Sequence, residues 1–327
     1  MKAGDIEVQP KLLKQARDGI LAEISKVVVG NEEEANLMLV SLMCRGHVLL
    51  EGVPGLAKTT LAKAFSRTLG VGFRRIQFTP DLLPSDITGT YVFNQKEAEF
   101  KFRPGPLLSN IILADEINRA PPKTQAALLE AMQEQQMTVE GETHMLPRPF
   151  MVMATQNPVE QEGTYPLPEA QLDRFLMRIE VGYPSRDQEI AILRMTDAGV
   201  VERVGKIIDS SQILILQDYV RSVFVDQSIV EYIVDIVLAT RSNKSILLGG
   251  SPRASIALQR CSQALALLEG RDFVIPDDVK EVVYPVLNHR LAMKAEAELS
   301  GVTVNSILDQ ILSSVQAPMV KQSAPAK

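Results

Sequence analysis

Short, nearly continuous apolar runs recur through the first half of the chain, and segments of helical period separate them. The runs are His47–Glu51, Phe73–Phe78, Ile111–Asp115, Phe150–Thr155 and Met177–Val181. Apolar runs this brief, with little polar alternation, predict strands buried on both faces, as in a parallel sheet covered by helices. Their alternation with helices predicts a doubly wound α/β layer. Ahead of them, residues from about Pro10 to Leu42 have helical period, interrupted by "VVVGNEEEA". There Asn31 suits an N-cap, and Glu32, Glu33 and Glu34 suit the positive end of a helix.

After Gly182-Tyr183-Pro184 the character changes. The clearest segments, "DQEIAILRM", "SIVEYIVDIVLATR", "SPRASIALQRCSQALALLE" and "PDDVKEVVYPVLNHRL", are all helical in period. A boundary is expected near residue 184, dividing an α/β core of residues 1–183 from an all-α domain of residues 184–316. The end, "APMVKQSAPAK" at 317–327, predicts a disordered tail. Two inserts are expected within the core. Residues from about Thr79 to Pro106 carry turn signals and the alternating "YVFNQKEAEFKF", which predicts a helix and a hairpin. Residues 136–149 alternate around Glu140-Gly141-Glu142, which predicts a second hairpin with a glycine turn.

Composition narrows the function. The 327 residues are 46% hydrophobic and 23% charged, enough for a full core without a metal or disulfide staple. A net charge of −6 with no Trp argues against a surface devoted to nucleic acid. Cys44 and Cys261 are too few and too distant for a disulfide framework or a zinc site, and His47, His144 and His289 fall in unrelated contexts. No secretory signal is visible, and no apolar run approaches the ~20 residues that span a bilayer, so a cytoplasmic location is expected.

The chemistry begins at "GVPGLAKTT", Gly52 to Thr60. It lies between the strand "HVLLE" and the helix "KTTLAKAFSRTLG", the setting of the phosphate-binding loop G-x-x-x-x-G-K-[ST]. Backbone N–H groups of Val53, Gly55, Leu56 and Ala57 and the helix start can face phosphate oxygens. Lys58 would reach the β- and γ-phosphates, and the Thr59 hydroxyl, followed by Thr60, would bind Mg²⁺. Ala57 stands where that pattern has glycine. It fits without cost at negative φ and with strain at positive φ. "NIILADEINRA" ends an apolar strand in Asp115-Glu116, where Asp115 would hold Mg²⁺ through its water shell and Glu116 would serve as general base. The same pair is common as a helix cap or solvated turn. "FMVMATQNP" brings Asn157 to a third strand end, either to orient a water or simply to turn the chain before Pro158. In an open α/β sheet all three ends gather on one rim. Arg174 in "LPEAQLDRF" and Arg253 in "GGSPRASIALQ" suit either charge neutralisation on a transferring phosphate or surface ion pairs.

Together, "GVPGLAKT", "LADEINRAPPKTQAALLEAMQE", "ATQNP", "LPEAQLDRF" and "SPRA" resemble, in this order, the MoxR family of AAA+ ATPases, over about residues 10 to 315. Ala57 departs from the general loop pattern and matches the form typical of that family. The resemblance implies an αβα ATPase core with a helical lid, binding ATP and Mg²⁺ at the subunit interfaces of a ring, usually a hexamer. It assigns Lys58 and Thr59 to Walker A, Asp115 and Glu116 to Walker B, Asn157 to sensor 1, Arg174 to the arginine finger and Arg253 to sensor 2. It sets Val29-Gly30 beside the adenine and makes Arg119 a second interfacial candidate. It also implies a chaperone-like motor that matures enzyme complexes or inserts metals, often with a partner carrying a von Willebrand factor A domain. Two rivals stand beside it: a nucleotide-gated scaffold with little hydrolysis, and a nucleic-acid motor, since minichromosome-maintenance helicases share the inserts. The acidic Glu140 and Glu142 suit a DNA-tracking hairpin poorly.

Overall fold

The computed structural model describes residues 10–158, 163–195 and 200–319. Most of the tail expected to be disordered, from residue 320 on, lies outside the described residues. The chain forms two compact units: residues 16–215, and residues 216 onward together with the chain up to Gln15. The change of sequence character near 184 falls inside the larger unit.

In chain order the strands of the larger unit are β1 (Val48–Glu51), β2 (Phe73–Gln77), β3 (Gly89–Asn94), β4 (Glu99–Pro104), β5 (Ile111–Asp115), β6 (Gln136–Val139), β7 (Glu142–Met145), β8 (Met151–Gln156) and β9 (Met177–Glu180). Five of them form a parallel sheet in the order β2-β5-β8-β1-β9. These match the five apolar runs to within one residue at either end. The central strands are apolar throughout because helices cover both faces: Ile111 to Ala114 and Met151 to Ala154 have no exposure. At the sheet's edge β2 is different. Only Ile76 of "FRRIQ" is buried, and Arg74, Arg75 and Gln77 reach solvent. β1 lies between β8 and β9, although β2 follows it in the chain, so the strand order reverses beside β1. A ligand crevice is expected at the carboxyl end of such a reversal.

Both inserts leave this core as hairpins. Helix Pro84–Thr88 leads into β3 and β4, and β6 and β7 turn at Glu140 and Gly141, both at positive φ. The hairpins meet where the Phe102 ring stacks on His144 at 4.1 Å and the Tyr91 hydroxyl donates to Glu142. At the front of the chain Asn31 does precede the helix Glu32–Met43, but its side chain makes no cap hydrogen bond.

The smaller unit is mainly helical: Gln227–Ser242, Pro252–Leu268, Pro276–Leu287 and Val304–Ser314 enclose Leu258, Val282 and Leu308. A short antiparallel pair, β10 (Ile246–Leu248) and β11 (Ala292–Met293), joins them, too brief to show against the helical period. The Arg271 guanidinium ties its loop to the buried Asp278 carboxylate, with contacts of 2.7 and 2.5 Å. Among the described residues no helix is long and apolar enough to cross a membrane.

His47 locks the start of β1 to its neighbours. Its Nδ1 accepts from the Val152 N–H at 2.9 Å, which leaves Nε2 to donate to the Met132 carbonyl at 3.1 Å. Burial pushes the ring's pKa down from 6.5 to about 4, so the folded protein holds the neutral form. The unfolded chain takes up a proton first as pH falls, and stability drains away between pH 6.5 and 4. The loss attributable to His47 is roughly 3 kcal/mol. Urea unfolding at pH 7, 5.5 and 4.5 should show a shallower decline in His47→Gln than in the parent. Parallel slopes would refute the assignment.

Candidate nucleotide site

The loop after β1 starts where backbone meets backbone. A Cβ at Gly52 would stand 2.5 Å from the Val181 carbonyl oxygen, so only glycine fits beside the end of β9. The chain then rises to Ala57, which has φ +55 and ψ +15, and enters the helix Lys58–Thr68. This settles the conformational question at Ala57. It occupies the left-handed region, where a side chain costs about 1 kcal/mol or more relative to glycine. The Lys58 ammonium is drawn into the loop, donating to the carbonyls of Gly52 at 2.5 Å and Val53 at 3.4 Å. Burial pulls its pKa below the ordinary lysine range, against the opposing pull of Asp115, Glu116 and Glu51.

Facing the loop across a cleft of 350 Å³ are the ends of β5 and β8. Asp115 is buried, and its Oδ1 accepts from the Thr155 hydroxyl at 2.6 Å. That hydroxyl in turn accepts from the Glu116 N–H at 2.8 Å. Glu116 has φ +57 and ψ +52, a second left-handed residue without a glycine's freedom. Its Oε2 receives the Gln77 amide at 2.8 Å and Arg119 Nη1 at 3.2 Å. Arg75 completes the group. Its Nε and Nη2 both donate to Asp115 Oδ2, at 2.9 and 2.7 Å, and Nη2 also reaches Gln77 Oε1 at 2.7 Å.

The structure therefore brings Pro54, Gly55, Leu56, Ala57, Lys58, Thr59, Asp115, Glu116 and Asn157 to one cleft. A larger pocket of 650 Å³ adjoins it across Gly55, Leu56 and Ala57, and is lined by Val29, Gly30, Glu34, Thr60, Tyr183 and Gln188 among others. Its volume leaves room for a base and sugar beside the loop. Gly30 sits at φ +81, where a side chain would be strained, and the end of the Gln188 side chain lies 2.5 Å from where its Cβ would stand. The Ser185 N–H holds Gln188 Oε1 at 2.7 Å. Burial raises the Glu34 carboxyl above its usual range.

Arg174 is not in this cleft. It is exposed, donates to the Leu129 carbonyl at 2.9 Å, and lines a separate cleft with Glu130, Glu134 and Gln171. Arg253 begins the helix Pro252–Leu268 in the smaller unit. Sequence reading missed Arg75, Gln77, Thr155 and Gln188. Only the last had a local signal, the capping box Ser185-x-x-Gln188. The others are visible only once the strand register is known, since it sets Gln77 beside Asp115.

The donor set fits magnesium and a nucleotide. A hydroxyl and a carboxylate are hard oxygen ligands, and the lysine and loop amides complement phosphate. Residues 47–177 match the model of the ATPase family associated with various cellular activities, and residues 238–311 match the AAA lid domain. Chaperone MoxR1 of Mycobacterium tuberculosis is 46% identical over 309 residues, covering 91% of this chain and 81% of that protein.

The chain belongs to the MoxR family of AAA+ ATPases.

The uncharacterized protein YeaC of Bacillus subtilis is 51% identical over 302 residues, 92% of this chain and 94% of the relative. A crystal structure of a candidate ATPase from Cytophaga hutchinsonii superposes with a TM-score of 0.88 at 43% identity, over 95% of this chain and 97% of the other. Within this MoxR-family chain the left-handed Ala57 is testable on its own. Ala57→Gly should stabilise the fold by about 1 kcal/mol in chemical denaturation, because the relieved strain exceeds the added freedom of the unfolded chain. A loss of stability would show that the alanine is not strained.

Proposed function

We propose that this protein is a Mg²⁺-dependent ATPase of the chaperone-like MoxR type, working as a ring of identical subunits, a hexamer by family resemblance. The observation that carries this is the convergence of Lys58, Thr59, Asp115, Glu116 and Asn157 on one cleft that adjoins the pocket at Val29-Gly30.

Each residue has a role its position supports. Lys58 exchanges its carbonyl partners for phosphate oxygens, with Gly52 and Val53 shaping the loop that cradles them. Thr59 and Asp115 hold the metal, which when bound neutralises phosphate charge. Glu116 accepts a proton from the attacking water, and Asn157 orients that water. Arg119 pairs with the Glu116 carboxylate of its own chain, whereas the exposed Arg174 donates to a neutral carbonyl, which favours Arg174 as the residue offered to a neighbouring subunit's phosphate. Arg253, at a helix start of the second unit, is assigned to sensing the nucleotide.

The output is remodelling of protein clients, in maturation of enzyme complexes or metal insertion, with a von Willebrand factor A domain partner. The relative named as a chaperone supports this class of work. The two hairpins, joined through Phe102 and His144, are the parts that would carry motion to a client.

Glu116→Ala should bind ATP with near-parental affinity while hydrolysis falls by about 10² or more, and Lys58→Ala should lose binding. Parental specific activity should rise with protein concentration as rings assemble. Normal phosphate release from Glu116→Ala would overturn the assignment.

A further inference from the structure

Three hydrogen bonds from within the protein occupy most of Asp115. Thr155 takes Oδ1, and two N–H groups of Arg75 converge on Oδ2. A carboxylate offers about four acceptor positions, so little of Asp115 remains for anything else. The oxygen that Arg75 covers is also the one whose charge it neutralises. A divalent ion approaching Asp115, directly or through its water shell, meets both a competing donor and a like charge.

Arg75 is also built to leave. Its side chain is 49% exposed, whereas that of Asp115 is 12% exposed. Its Nη2 has a second acceptor in Gln77 Oε1, so the guanidinium keeps a partner when it gives up the carboxylate. Among the described residues β2 is an edge strand of the sheet. A pair needed only to fasten β2 to β5 would duplicate the work of five residues of parallel pairing.

We propose that Arg75 is a metal-gating residue: it is the resident cation of Asp115, and a divalent ion is held there only after the Arg75–Asp115 pair opens. This rests on the nucleotide-site reading above and adds a cost to the metal step. Nucleotide alone binds with the gate shut, and nucleotide with metal binds only by opening it. Arg75 is a positioning residue in this scheme, acting through Asp115.

The test is the metal linkage of ADP binding, measured by calorimetry on the full chain. ADP affinity is determined in EDTA and in saturating Mg²⁺, and the ratio of the two is compared between variants. In Arg75→Gln the ratio should exceed the parent's by about ten-fold, the worth of roughly one charge-assisted hydrogen bond. Arg74→Gln removes a positive charge from the adjacent, exposed position of β2 while leaving Asp115 paired, and its ratio should stay within about two-fold of the parent's. Arg75→Lys keeps the charge but lacks the forked donor, and should raise the ratio about three-fold. If Arg75→Gln does not fold, this variant decides alone. An unchanged or smaller ratio in the Arg75 variants, or an equal rise in Arg74→Gln, overturns the gate. A parent that binds no ADP under either condition overturns the nucleotide reading, and the gate with it.

Discussion

One hydroxyl group organises the acidic side of the site. Thr155 Oγ1 donates to Asp115 and accepts from the Glu116 N–H, so it uses its single proton and a lone pair on two consecutive residues of the neighbouring strand end. It can do so because β5 and β8 run parallel in register, with Ala114 opposite Ala154. Glu116 is thereby held where its backbone turns left-handed, and its carboxylate leaves the line of the strand for Gln77 and Arg119. Without the hydroxyl, a buried carboxylate oxygen and a main-chain donor would both lose their partner, at about 1–3 kcal/mol each.

The opposite wall of the cleft is strained in the same way. Ala57 and Glu116 both sit at positive φ, one at the foot of a helix and one at the tip of a strand. Such residues persist only where surrounding contacts outweigh them. Around Ala57 these are the tight approach of Gly52 to Val181 and the helix that begins at Lys58. The loop and the acidic pair thus face each other from two rigid mounts, which suits groups that must meet a phosphate at fixed distances.

The sheet was legible because burial on both faces leaves a mark in one dimension. Ile111 to Ala114 contain no polar residue to confuse the pattern, and the strand ends at Asp115, where the polar residues begin. Asp115 and Glu116 stood out for the same reason, as polar groups closing such a run, and Lys58 stood out through the glycine-rich loop pattern that follows another. Arg75 and Gln77 did not. They lie inside a strand, and their partners are nearly 40 positions away in the chain, brought close only by the pairing of β2 with β5. Ala57 was legible as a letter but not as a conformation: no local pattern encodes its positive φ. The short β10–β11 pair escaped because two or three residues cannot establish a period.

Strand β2 has a second face to the world. Among the described residues it is the terminal strand of the sheet, and a terminal strand is the kind of edge that can template strands from other molecules. Its exposed residues are Arg74, Arg75 and Gln77, and two adjacent charges on an edge discourage such pairing. The guanidinium that engages Asp115 therefore also contributes to colloidal behaviour. Stripping that edge of its charges would expose the protein to aggregation as well as alter the acidic cleft.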